Sequence, residues 1–221
     1  MRADYDAANN TANEILLKAK SIKGFPFSIK EVVKEFSEIE FTTYSELEAL
    51  GGNASMIIGS NDGALLESCG RHILFYNDRM PSERIAFTFA HELGHLELHH
   101  DMKTLTELRE AHDELFAPLY EKYEKEASVF AAQLVMPVQV VRELAKRGCK
   151  ITTAFLSEHF GVSNQCAQVR ISNLGYQKKS EYDDLILGKF KGFIDRVAKR
   201  TSSFSDEYER EFEMERIRQS W

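Results

Sequence analysis

Apolar positions recur at helical spacing at both ends of this 221-residue chain, with a short alternating region between them. Ile15, Leu16 and Leu17 mark a first helix over 4–20, which Gly24 and Pro26 break. Ser28-Ile29-Lys30-Glu31 is a capping-box pattern and opens a second helix, with Ile29, Val32, Val33 and Phe36 on one stripe. Ile39 and Phe41 alternate as a strand. Ser55–Gly59 and Ala64–Ser68 read as two more strands around Asn61-Asp62-Gly63, and His72–Tyr76 as a further one. The pattern predicts a small antiparallel sheet of three or four strands. Pro81 suits the first turn of a helix running through Ile85, Phe87 and Phe89 into His91–His95. Residues 101–116 are mixed and acidic, and read as a mobile connection with some helix. A strong helix is expected over 117–136, stopped at Met136-Pro137, and shorter helices over 138–147, 152–159 and 163–173. The remainder, 177–221, reads as charged amphipathic helix. The expected division is 1–137, 138–176 and 177–221.

His91-Glu92-Leu93-Gly94-His95 changes the picture from fold to chemistry. Histidines at i and i+4 share one helical face, so both imidazoles can reach one metal ion. Glu92 lies on the adjacent flank, where it can deprotonate a metal-bound water as catalytic base. Two histidines and a glutamate on an otherwise apolar helix are costly without such a partner. Gly94 costs about 1 kcal/mol relative to Ala inside a helix, which makes sense where another backbone approaches closely.

A catalytic zinc needs a third protein ligand. His99 is excluded on an unbroken helix: at about 1.5 Å per residue it lies about 12 Å from His91. His99 and His100 then read as a polar helix terminus. The third ligand is expected from the helix Glu124-Lys-Glu126-Ala-Ser-Val-Phe130-Ala-Ala-Gln-Leu-Val-Met-Pro137, whose small residues allow close packing on Gly94. Glu126, one turn before Phe130, is the favoured candidate, and Glu121 and Glu124 are expected to be solvated.

The net charge of −7 argues against a general coating of nucleic acid. The charge is uneven: residues 138–180 carry seven bases against two acids. Thr152–Gly175 looks like a helix-turn-helix, with Gly161 at the turn and Ser163 capping the second helix. Packing or substrate docking is the favoured use of this segment. DNA binding through Asn164, Gln165, Gln168 and Arg170 is the alternative. Cys69, Cys149 and Cys166 form no Cys-x-x-Cys pair, which suits free thiols in a reducing cytoplasm. No apolar run approaches a membrane span, and the acidic start Met1–Asp6, with no apolar stretch behind it, is not expected to be a secretory signal. His72 or a tyrosine could assist an oxyanion. Tyr76 could lie beside a substrate strand that pairs with its own strand.

Three stretches together resemble the ImmA/IrrE family of zinc metallopeptidases: Arg84–His95, Glu126–Pro137, and Leu156–Ser163 with Val169–Gly175. The strand Ile73–Asn77 ahead of the motif helix fits as well. The resemblance covers roughly 10–176 and leaves the tail outside. It implies a gluzincin-like site with His91, His95 and Glu126 on zinc and Glu92 as base. It also implies cleavage of a helix-turn-helix repressor in a prophage, mobile-element or stress switch. Ser128 stands where the family usually has Asn or Asp. The expected class is therefore α+β, a small antiparallel sheet on a helical bundle that holds zinc between two helices. A zinc-fold regulator that binds a repressor or DNA without cutting is the alternative. The tail is expected to bind partners or gate the site.

Overall fold

A computed structural model describes residues 2–68, 70–100, 117–175 and 179–201. The expected connection 101–116 and the end of the tail lie outside them. Helix α1 (Tyr5–Lys18) starts at Asp4, whose side chain accepts from Ala7 N. Helix α2 (Ile29–Phe36) starts at Ser28, whose Oγ accepts from Glu31 N. These caps satisfy amides that a helix leaves open at its first turn.

The sheet has three strands, β1 (Ile39–Thr43), β2 (Gly63–Ser68) and β3 (Arg71–Tyr76), in the order β1-β3-β2. β2 and β3 pair antiparallel, whereas β1 runs parallel to β3. The expected all-antiparallel sheet is thus a mixed one. A parallel neighbour needs a crossover connection, and two short helices take part in it. α3 (Tyr44–Ala49) opens with a reciprocal capping box between Thr43 and Glu46. α4 (Ala54–Ile58) occupies most of the expected strand at 55–59. Asn53 accepts from Met56 N at its start, and Gly59 closes it in the left-handed region at φ 71°. These end signals outweigh the β-rich composition of Ser55–Gly59. Tyr44, Ala54, Ile58 and Ala64 bury a small satellite cluster between the two helices and the sheet.

Helix α5 (Ser82–Glu97) carries the histidine motif and lies on the sheet, with Phe89 packed edge-on against Phe41 and Tyr76. Helix α6 (Ala117–Val135) packs against it. The reason for Gly94 is explicit: a Cβ there would sit 2.9 Å from Phe130 Cδ1 and 3.3 Å from Ala127 Cα. Only glycine lets the two backbones approach this closely. Helices α7 (Val138–Lys146), α8 (Thr153–Phe160) and α9 (Asn164–Asn173) follow. Gly161 at φ 65° and the Ser163 cap turn the chain between α8 and α9 as the sequence suggests. Arg170, however, is buried, so it is not available to read bases; burial lowers its guanidinium to about 10.

The described part of the tail, 179–201, does not stand apart. Helix α10 (Asp183–Lys189) and the helical residues 191–201 place Ile186, Phe190, Phe193, Ile194 and Val197 in the same hydrophobic core as α1, α5 and α6. Phe25 is in ring contact with Phe160, Phe190 and Phe193, with centroids 5.0, 4.7 and 5.2 Å away. Lys189 Nζ caps the end of α1, donating to Ala19 O at 2.7 Å and to Leu17 O at 3.2 Å. Leu185, expected on the apolar stripe, is exposed. The stripe packs on the body because an amphipathic helix alone in water is marginal. Among the described residues no helix is long and apolar enough to cross a membrane.

Candidate metal centre

His91 and His95 lie one turn apart on α5, and their Nε2 atoms are 3.0 Å from each other. Glu124 on α6 completes the group. Its Oε2 is 3.2 Å from His91 Nε2 and its Oε1 3.5 Å from His95 Nε2. Tetrahedral zinc with bonds of about 2.0–2.1 Å sets neighbouring ligand atoms about 3.3 Å apart. Two imidazoles and a carboxylate at these separations fit such an ion. Burial opposes the charge on Glu124, yet the imidazoles of His91 and His95 beside it hold its carboxyl well below the usual range.

Glu126, the expected third ligand, is elsewhere. Residues i and i+2 of a helix do not share a face. Glu126 is buried, as expected, but Oε2 lies 3.1 Å from His100 Nε2, and Oε1 accepts from Asp4 N at 2.6 Å. The register follows from the Gly94–Ala127 contact. Glu124 precedes Ala127 by three residues and Ser128 by four, so it shares the face that meets α5. Ser128 Oγ on that face is 3.4 Å from His91 Nδ1. Glu124, expected in solvent, is the carboxylate that meets both imidazoles.

Glu92 is 4% exposed, and its Oε2 accepts from Leu65 N at 2.9 Å. Leu65 is on β2, one of the two edge strands, so the expected base is tied to that strand. β3 is the central strand and has both sides paired, which excludes the expected addition of a peptide beside Tyr76. β2 offers the edge on this side of the sheet instead.

Sequence reasoning missed His100. Helix α5 ends with His99 in the left-handed region at φ 55°. His99 N donates to Leu96 O and His100 N to His95 O, both at 3.0 Å, which is a Schellman closure. That closure folds His100 back onto His95 and leaves His99 exposed. The His100 ring stacks on Tyr123, with centroids 4.3 Å apart, and burial together with His95 lowers its pKa to about 4. A histidine in the usual place of a helix-ending glycine gives no such signal in one sequence.

A cavity of about 620 Å³ adjoins the cluster through Ser128. It is lined by Phe27, Phe87, Ala132, Phe160 and Val162 among others. It runs between α5, α6 and the α8–α9 turn, and no sequence pattern announced it.

A His-Glu-x-x-His helix facing a glutamate helix defines the class, a metallopeptidase. Residues 56–172 match the peptidase M78 family, described as the IrrE N-terminal-like domain, and the chain belongs to that family. A search of curated proteins finds no match.

Proposed function

We propose that this protein is a zinc-dependent endopeptidase of narrow specificity, with His91, His95 and Glu124 as metal ligands and Glu92 as catalytic base. The convergence of the two Nε2 atoms and the Glu124 carboxylate carries this reading. Bound zinc would supply a Lewis acid and lower the pKa of its water towards about 7. His91 and His95 would hold it as neutral imidazoles. Leu65 N–H keeps Glu92 in one rotamer, so its carboxylate is placed to accept the proton of the attacking water and to return it to the leaving amine. The cavity beside Ser128 gives apolar side chains of a bound peptide a place out of water.

The substrate we infer is a helix-turn-helix transcriptional repressor in a prophage, mobile-element or stress switch, cleaved in the cytoplasm. Family membership and the resemblance support it. The test uses wild type and Glu92→Gln, each assayed for zinc content and for cleavage of a repressor encoded beside it. Both should bind one zinc per chain and only the wild type should cut. Cleavage that survives in the zinc-loaded variant refutes Glu92 as base. Repressor release without cleavage by either protein supports the non-proteolytic regulator instead.

A further inference from the structure

We propose that His100 and Glu126 form a positioning relay that fixes the proton on His95 and so presents its Nε2 lone pair to the metal. The proposal rests on the reading of His91, His95 and Glu124 as ligands.

The two ring nitrogens of His95 face different partners. Nε2 points at His91 and Glu124, whereas Nδ1 lies 2.9 Å from His100 Nδ1. A neutral imidazole that ligates through Nε2 carries its proton on Nδ1. That N–H donates to His100 Nδ1, which must then be the bare nitrogen. The His100 proton therefore sits on Nε2 and donates to Glu126 Oε2 at 3.1 Å. Glu126 in turn is held by Asp4 N–H at 2.6 Å, with Lys122 Nζ 3.7 Å away. Each proton has one place in this chain.

The opposite assignment fails. With the proton on His95 Nε2, an N–H would point at the metal position. His100 would then donate through Nδ1, and its bare Nε2 would face the Glu126 carboxylate with no proton between them. The carboxylate thus selects the tautomer of His100, and His100 selects that of His95. A ligating histidine usually has such an outer partner, and losing it typically weakens metal binding 10–100-fold. On the other imidazole, His91 Nδ1 lies 3.4 Å from Ser128 Oγ.

The test measures zinc affinity of the full chain by competition with a chromophoric chelator, and histidine 15N shifts of the metal-free protein. His100→Phe keeps a ring against Tyr123 but has no acceptor. It should bind zinc 10–100-fold more weakly, and metal-free His95 should become a mixture of tautomers. His100→Asn restores an oxygen near the Nδ1 position and should recover part of the affinity. Glu126→Ala should give an intermediate loss, and Glu124→Ala the largest. Should His100→Phe misfold, His100→Asn and Glu126→Ala still decide. The relay is overturned if affinity and tautomer are unchanged in the His100 variants, or if Glu126→Ala abolishes binding as fully as Glu124→Ala. If the wild type binds no zinc, the ligand reading has failed. The metal-free tautomer of His95 then still tests the relay, which requires the Nδ1–H form.

Discussion

The two halves of helix α6 differ in most of what they bury, Gln133 being the buried polar residue of the second half. Towards its start, Glu124, Glu126 and Ser128 meet His91, His95 and His100. Towards its end, Phe130, Ala131, Leu134 and Val135 are buried among apolar side chains that continue into the Phe25, Phe160, Phe190 and Phe193 rings. Buried polar groups cost free energy unless each finds a partner. Buried apolar area stabilises in proportion to its extent and is indifferent to partner identity. One half therefore holds the fold, and the other spends stability on geometry. Changes in the apolar half should alter stability and spare metal affinity per folded molecule. Changes in the polar half should do the reverse.

Among single substitutions, Phe190→Ala breaks the comparison hardest. The side chain is 1% exposed, and its loss should cost about 3–5 kcal/mol in urea unfolding, with zinc stoichiometry of the folded fraction unchanged. Ending the chain at Gly175 removes Ile186, Phe190, Phe193, Ile194 and Val197 together and should give insoluble protein. Metal removal comes next. Free zinc at 100 times its Kd should stabilise the wild type by about 2.7 kcal/mol in thermal melts, and EDTA should reverse this. Glu124→Ala should show no zinc response at the same concentration, while its metal-free melting point stays near that of wild type. A mutant that still responds fully would return the ligand role to another carboxylate.

Gly94→Ala tests the seam between the halves. The added Cβ meets Phe130 at 2.9 Å, so α5 and α6 must separate or Phe130 must shift. About 1–3 kcal/mol of stability should be lost, and zinc affinity should fall as well, because Glu124 moves with α6. The smallest effect belongs to His99→Gly. Glycine removes the strain of φ 55° but adds freedom to the unfolded chain, so stability should change by less than about 1 kcal/mol. Zinc affinity should be unchanged, since His99 touches no part of the cluster; a large loss would contradict its exclusion as a ligand.

Much of this was legible in the sequence. The spacing of His91 and His95 needs only a helix to make a pair of ligands, and Gly94 announces a close helix contact wherever it is packed. Ser28, Gly161 and Ser163 act within a turn of themselves, so their capping and turning roles do not depend on distant partners. Family membership also followed from local strings of residues. The strand expected at Ser55–Gly59 failed for a local reason as well: Asn53 and Gly59 are end signals for a helix too short to show a period.

Tertiary structure decided what depends on a second element. Glu124 and Glu126 sit on one helix with similar surroundings in sequence, and only the register set by Gly94 against Ala127 turns one to the imidazoles and the other to His100. The parallel pairing of β1 with β3 depends on how the chain crosses through α3 and α4, and so does the place of β2 at an edge of the sheet, where Leu65 holds Glu92. The tail stripe was visible, but its partner was not, because an apolar face specifies burial and not the surface it is buried against. Sequence by itself determined the metallopeptidase family and the helices that carry its motif. Packing determined which carboxylate meets the two imidazoles, because ligand choice is a matter of direction across an interface and direction is fixed only when two helices lock together.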